Sequence, residues 1–153
     1  DSGLVVGKKE WIARCRRYGP PKDGVCRGCK TSREAIVGLY KAVQQYLGQD
    51  EAAELRRLNA RCARFERTLR ECGFTRIMRT QEGPVGQQMP RTYGVMPYGG
   101  AEKLAEKMRG EGIYIGAEAD NQILLNPLMV APSQVKTVCA ALMRCMQQIK
   151  EED

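Results

Sequence analysis

Histidine is missing altogether from the 153 residues, and aromatic side chains are scarce: two phenylalanines, six tyrosines and one tryptophan. Without imidazole the chain has no Ser-His-Asp triad, no Cys-His pair and no histidine-bearing zinc site. Few aromatics also leave little for stacking bases, the usual way of reading single-stranded RNA. No apolar run approaches the roughly 20 residues that a membrane-spanning helix needs. Residues 1–7 carry neither an initiator methionine nor a basic stretch ahead of a long apolar one. They are not expected to be a secretory signal, and read as a chain entered in mid-fold.

What is present describes a globular protein. A hydrophobic fraction of 42% beside 28% charged residues is ordinary for a folded domain. The length suits one domain, or a small lobe with an appendage. Seven cysteines are an odd number, and several recur at helical spacing among apolar residues. Free thiols there act as small hydrophobes, so a reducing cytoplasm is the expected compartment. The net charge is +7, and residues 1–47 hold ten Lys or Arg against four Asp or Glu. An anionic ligand or partner is expected near that half.

Glycines bound the apolar run Leu4-Val5-Val6, whose two valines are β-branched, which predicts a short buried strand. Trp11, Ile12 and Cys15 then share one face of a helix over residues 8–17. Residues 19–24, with two prolines and two glycines, predict a loop. Thr31 or Ser32 can cap the next helix, in which Ile36, Leu39, Val43 and Leu47 recur before Gly48 stops it. From Asp50, Leu55, Leu58, Cys62, Phe65, Leu69 and Cys72 step by three and four, with arginines on the other faces. Strands are predicted over residues 74–80 and 91–96, parted by a loop at 82–90, and a helix over 101–109. Ile113-Tyr114-Ile115 and residues 122–125 predict a second strand pair, and Ser133 a cap for a final helix. The expected class is α/β, more closely an α+β lobe: a small sheet covered on one face by helices. The best boundary lies at Gly48 to Asp50, between a helical and loop segment and a compact lobe.

Two local features could carry chemistry. Cys26-Arg27-Gly28-Cys29 is a lone CxxC, open to structural, redox or metal readings; it supplies at most two of the four ligands of a structural zinc. Arg27 and Lys30 stand where a glycine-containing loop enters the helix near Thr31, a plausible phosphate site from spacing alone.

Ser2-Gly3-Leu4-Val5-Val6-Gly7-Lys8-Lys9-Glu10-Trp11-Ile12 resembles the segment after the Schiff-base lysine in the bacterial selenocysteine synthase and D-glucosaminate-phosphate ammonia-lyase group. Gly24-Val25-Cys26-Arg27-Gly28-Cys29-Lys30, followed by Glu34-Ala35-Ile36-Val37-Gly38-Leu39, is similar to the same group's loop and helix at the same spacing. Gly112-Ile113-Tyr114-Ile115 and Leu125-Asn126-Pro127-Leu128 resemble the closing strands of the small domain in fold-type-I pyridoxal-phosphate (PLP) enzymes generally. The resemblance implies that residues 1–48 end a large PLP-binding domain and that 49–153 form a small C-terminal domain like that of the aspartate aminotransferase fold. It implies PLP as cofactor in the complete enzyme, Arg27 and Lys30 beside its phosphate, and a homo-oligomer or a partner chain carrying the rest of the large domain. The Schiff-base lysine and the aspartate facing the pyridinium nitrogen would precede Asp1, so no catalytic residue and no metal ligand is assigned within this chain. Two departures stand out: Cys26 and Cys29 replace an expected glycine and methionine. Ile123-Leu124-Leu125 is apolar where many relatives carry a carboxylate-binding arginine, a role left to Arg91 or another cation.

The function that follows is the C-terminal part of a PLP-dependent lyase or transferase acting on an amino-acid or amino-sugar-acid substrate, inactive alone. Two alternatives come from other classes. One is a small basic protein binding RNA or another polyanion, suggested by pI ≈ 9.2 and the arginines of residues 56–70. Glu51, Glu54, Glu66 and Glu71 among those arginines count against it. The other is a non-catalytic lobe used for oligomer contacts.

Overall fold

The structure, a computed structural model, describes residues 2–26, 28–83, 86 and 88–152. The chain divides into two compact units, Asp1–Gln49 and Asp50–Asp153.

The first unit is helical. Helix α1 spans Lys9–Tyr18 and α2 spans Arg33–Leu47, and neither has a buried residue. Ser32 caps α2 by accepting from the Ala35 N–H at 3.1 Å. Between the helices the loop folds back on the end of α1. At Gly24 a Cβ would sit 2.2 Å from the Tyr18 carbonyl oxygen, so any side chain there would push the loop off the helix. Residues 2–8 form no strand, contrary to the pattern of Leu4-Val5-Val6, and all three side chains are exposed. A strand needs a neighbour for its N–H and C=O groups, and this unit has none among the described residues.

The second unit is a four-stranded antiparallel sheet with helices, an α+β arrangement. Helix α3, Glu51–Glu71, begins at Asp50, whose side chain accepts from the Ala53 N–H at 2.9 Å. Strands β1, Thr75–Glu82, and β2, Gln88–Val95, follow, then helix α4, Ala101–Gly110. Short strands β3, Gly116–Glu118, and β4, Gln122–Leu125, precede the last helix α5, Val135–Glu152. The sheet order is β1-β2-β4-β3. Phe65 and Leu69 of α3 meet Leu104 and Met108 of α4, Ile123 and Leu125 of β4, and Leu142, Cys145 and Ile149 of α5 in one buried region, and Leu58 and Cys62 of α3 are buried as well. Gly94 of β2 lets α3 close on the sheet, for a Cβ there would lie 3.0 Å from Phe74 and 3.1 Å from Leu69.

Burial alternates along the inner strands. Thr92, Gly94, Ile123 and Leu125 are buried, while Arg91, Tyr93, Val95 and Leu124 keep part of their surface. Because Thr92 pairs with Leu125 and Gly94 with Ile123, the buried residues share the face on which the helices lie. The second face is the outer one.

Three local expectations need correction. The loop foreseen at 82–90 is shorter, since β2 already begins at Gln88 and contains Pro90. The β1–β2 register shifts there, and such an irregularity tolerates a residue without an N–H. The strand expected at Ile113-Tyr114-Ile115 falls instead on Gly116–Glu118. Ile113 and Ile115 pack against the core while Tyr114 is exposed. Ser133 does not cap α5; it lies inside a 3₁₀ turn, Pro132–Gln134, that leads into it.

Candidate functional site

The basic loop is the first place to look, because the sequence puts Arg27 and Lys30 there. Arg27 lies outside the described residues. Lys30 is exposed and lines an open hollow of about 590 Å³ together with Ser2, Gly3, Pro20, Pro21, Cys29 and Thr31, with Ile36 and Leu39 of α2 at its apolar side. Both stretches that carry the family resemblance thus contribute to one hollow: Ser2 and Gly3 from the first, Cys29 and Lys30 from the second.

The start of α2 is less free for an anion than its sequence suggests. Ser32 already takes the Ala35 N–H. Hydrogen bonds from its own backbone N–H and from Ser32 hold the Glu34 carboxyl below its ordinary value, so a negative charge occupies the first turn. An anion in the hollow would be held by side-chain cations far more than by the helix terminus.

Cys26 has a left-handed backbone (φ 64°), and its carbonyl accepts from the Cys29 N–H at 2.9 Å. Both thiols are free and exposed, as is Cys15. Burial pushes the Cys62 and Cys145 thiols up and takes Cys72 to about 11, which leaves these three poor nucleophiles at neutral pH. Among the described residues no group of three or more Cys, Asp or Glu side chains could hold a metal ion.

The arginines of α3 are largely engaged. Arg56 lies 3.9 Å from Asp50, Arg57 3.3 Å from Glu54 and Arg70 3.7 Å from Glu66, while Arg61 donates to the Pro127 carbonyl at 3.1 Å. Arg64 and Arg67 are exposed. Arginines answered by carboxylates on the same helix do not make a continuous polyanion track.

The outer face of the sheet joins a cation that the sequence had named, Arg91, to a residue that it had not, Thr80. Among the described residues three enclosed polar atoms have no protein hydrogen-bond partner: Thr80 Oγ1, Arg91 Nε and Thr92 Oγ1. Thr92 is on the helix face. Thr80 and Arg91 are direct cross-strand partners on the outer face, beside the register shift in β1–β2. Arg91 was legible as a cation in a strand. Thr80 had no signal, because its neighbour is set by register, not by spacing.

No protein-family model matches the chain, and no curated protein matches it in sequence. Among the described residues no helix is long and apolar enough to cross a membrane.

Proposed function

We propose that the chain is the C-terminal part of a PLP-dependent lyase or transferase acting on an amino-acid or amino-sugar-acid substrate. The observation that carries this reading is the pair of resembling stretches, residues 2–12 and 24–39, at the group's spacing and converging on one hollow. PLP supplies an electron sink for carbanion chemistry when bound. Lys30, with Arg27 from the same loop, would hold its phosphate: an ammonium as a mobile point charge and a guanidinium as a planar fork. Pro20, Pro21, Ile36 and Leu39 would exclude water from one side of the group and strengthen those contacts. On this reading the residues named here bind and orient the group.

Exposed apolar surface supports the same reading. Leu4, Val5, Val6, Trp11, Ile36, Val37 and Leu47 are all more than half exposed, as expected of a segment covered by the rest of a large domain or by a partner subunit. A homo-oligomer, or a partner chain bearing that domain, is the assembly implied.

The test uses pyridoxamine phosphate, which cannot condense with lysines, against pyridoxamine, with amide signals followed by NMR. The phosphorylated compound should shift Cys29, Lys30 and Thr31, and pyridoxamine should not. Arg27→Ala should weaken binding roughly ten- to a hundredfold, Arg27→Lys should restore part of it, and Arg64→Ala should change little. In parallel, borohydride reduction with PLP should label no single lysine stoichiometrically. Equal losses from Arg27→Ala and Arg64→Ala, or one fully labelled lysine, would require withdrawing the assignment.

A further inference from the structure

We propose that the hollow beside strand β3 binds an uncharged, planar ring compound bearing hydrogen-bond acceptors, held by the side-chain amides of Asn126 and Gln134 and stacked on Tyr114. This site lies wholly within the second unit and stands independently of the PLP reading.

The hollow follows from the way α4 stops. The Gly112 N–H bonds to the Arg109 carbonyl and the Ile113 N–H to the Met108 carbonyl, each at 2.9 Å, and Gly112 takes the left-handed conformation (φ 77°) that such a helix end favours. Ile113 and Ile115 then pack against the core, and Tyr114 between them is turned outward, 80% exposed. The 3₁₀ turn Pro127–Met129 after β4 presents Met129 in the same way, 82% exposed. With the start of α5 these segments surround an open hollow of about 510 Å³, a size usual for a small-molecule site.

The lining selects the ligand by charge and by the sense of its hydrogen bonds. No Lys, Arg, Asp or Glu lines the hollow, so an ion entering it would give up hydration with no opposite charge to replace it. The two amides are already oriented. Asn126 Oδ1 accepts from the Leu128 N–H at 3.0 Å, and Gln134 Oε1 accepts from the Ala131 N–H at 3.1 Å. Each therefore presents its NH2 group, which has no protein acceptor among the described residues. Oriented donors beside the apolar side chains of Leu124, Val130 and Val138 match a ring that carries carbonyl or ring-oxygen acceptors. An alkyl chain would leave both donors unanswered. Arg109 lies over the Tyr114 ring, 5.8 Å from its centroid, so one ring face is taken and the other is left for stacking. Met129, flexible and polarizable, adapts to the edge of such a ring.

The experiment uses the full chain, 15N-labelled, with coumarin as probe: an uncharged planar double ring with a carbonyl and a ring oxygen as acceptors. Two controls isolate the recognised features: indole, a planar double ring that donates instead of accepting, and coumarin-3-carboxylate, which adds a charge. Coumarin should shift the side-chain amide signals of Asn126 and Gln134 and the backbone amide of Tyr114 saturably, and both controls should bind roughly tenfold more weakly or worse. Asn126→Asp and Gln134→Glu keep the oxygen that receives the backbone N–H and lose the NH2 group. Each should weaken coumarin binding roughly three- to tenfold with the denaturation midpoint unchanged. Tyr114→Leu, at an exposed position outside the core, should weaken it severalfold and tests stacking without touching the fold. Indole binding as tightly as coumarin, unchanged coumarin affinity in both amide variants, or the absence of saturable shifts would each overturn the proposal. So would a sedimentation mass of two chains with the coumarin shifts abolished, which would assign the hollow to a second copy of the chain.

Discussion

Helices α2 and α3 start in the same way and end in different surroundings. Each is opened by a short polar side chain that accepts from the third N–H of the helix, Ser32 in one and Asp50 in the other. Each carries an apolar series at helical spacing. In α3 that series is buried, from Leu58 to Leu69; in α2 no residue is buried, and Leu47 is 78% exposed. Local chemistry determines where a helix begins and stops, but a core requires a second layer. The second unit supplies a sheet for α3 to lie on, and among the described residues every buried hydrophobic one falls between Leu58 and Ile149. The first unit supplies two helices and a loop.

The largest difference between the units is expected from a core truncation in each. Leu69→Ala removes a fully buried side chain in contact range of Gly94 and should cost about 2–5 kcal/mol. Ile36→Ala, at a position 55% exposed, should change stability by less than about 0.5 kcal/mol. Urea denaturation followed by circular dichroism measures both. A comparable loss from Ile36→Ala would show that the first unit has a cooperative core of its own.

The helices of the fold, the start of α3 at Asp50 and the Ser32 cap were legible because their determinants are neighbours in sequence. Asp50, Ser32 and the steps from Leu58 to Leu69 need nothing distant to be interpreted. Strand β4 was legible from Ile123-Leu124-Leu125, but its partner was not. Pairing places Gly116 opposite Leu124, where a Cβ would come within 2.9 Å of the Leu124 side chain. The apolar run at 113–115 fits the core better than that edge. Leu4-Val5-Val6 misled for the complementary reason: a strand-like composition without a strand beside it. At the candidate sites the cations were readable as residues, whereas the hollow at Lys30 and the pairing of Thr80 with Arg91 arise from chain segments brought together by folding.

An intermediate effect should come from the polar link between α3 and β1. Arg79 Nε donates to Glu66 Oε1 at 2.5 Å and its Nη1 to Asn59 at 3.0 Å, with the two charged side chains 25% and 13% exposed. Glu66 raises the Arg79 pKa above its ordinary value, mainly through this hydrogen bond. Glu66→Ala strands the guanidinium in a partly enclosed place. The loss should be about 1–3 kcal/mol, below the figure for a fully buried pair because solvent still reaches Arg79. Glu66→Gln keeps the acceptor and should recover part of it. If neither variant changes the urea midpoint, the second unit is held by apolar packing alone.

The smallest effect is expected where the same chemistry is changed in both units. Asp50→Ala removes the acceptor for the Ala53 N–H, and Ser32→Ala removes the one for the Ala35 N–H. Loss of an N-cap typically costs about 1 kcal/mol of helix stability. In α3 that cost is shared with a packed sheet, so Asp50→Ala should lower the cooperative midpoint while leaving the helix content at low denaturant unchanged. In α2 no buried contact compensates, so Ser32→Ala should instead reduce helicity over residues 33–47 directly, visible as weakened Cα shifts and faster amide exchange, with the midpoint of the second unit unmoved. Reversal of the two outcomes would mean that α2 draws its order from tertiary contacts and α3 from its own sequence.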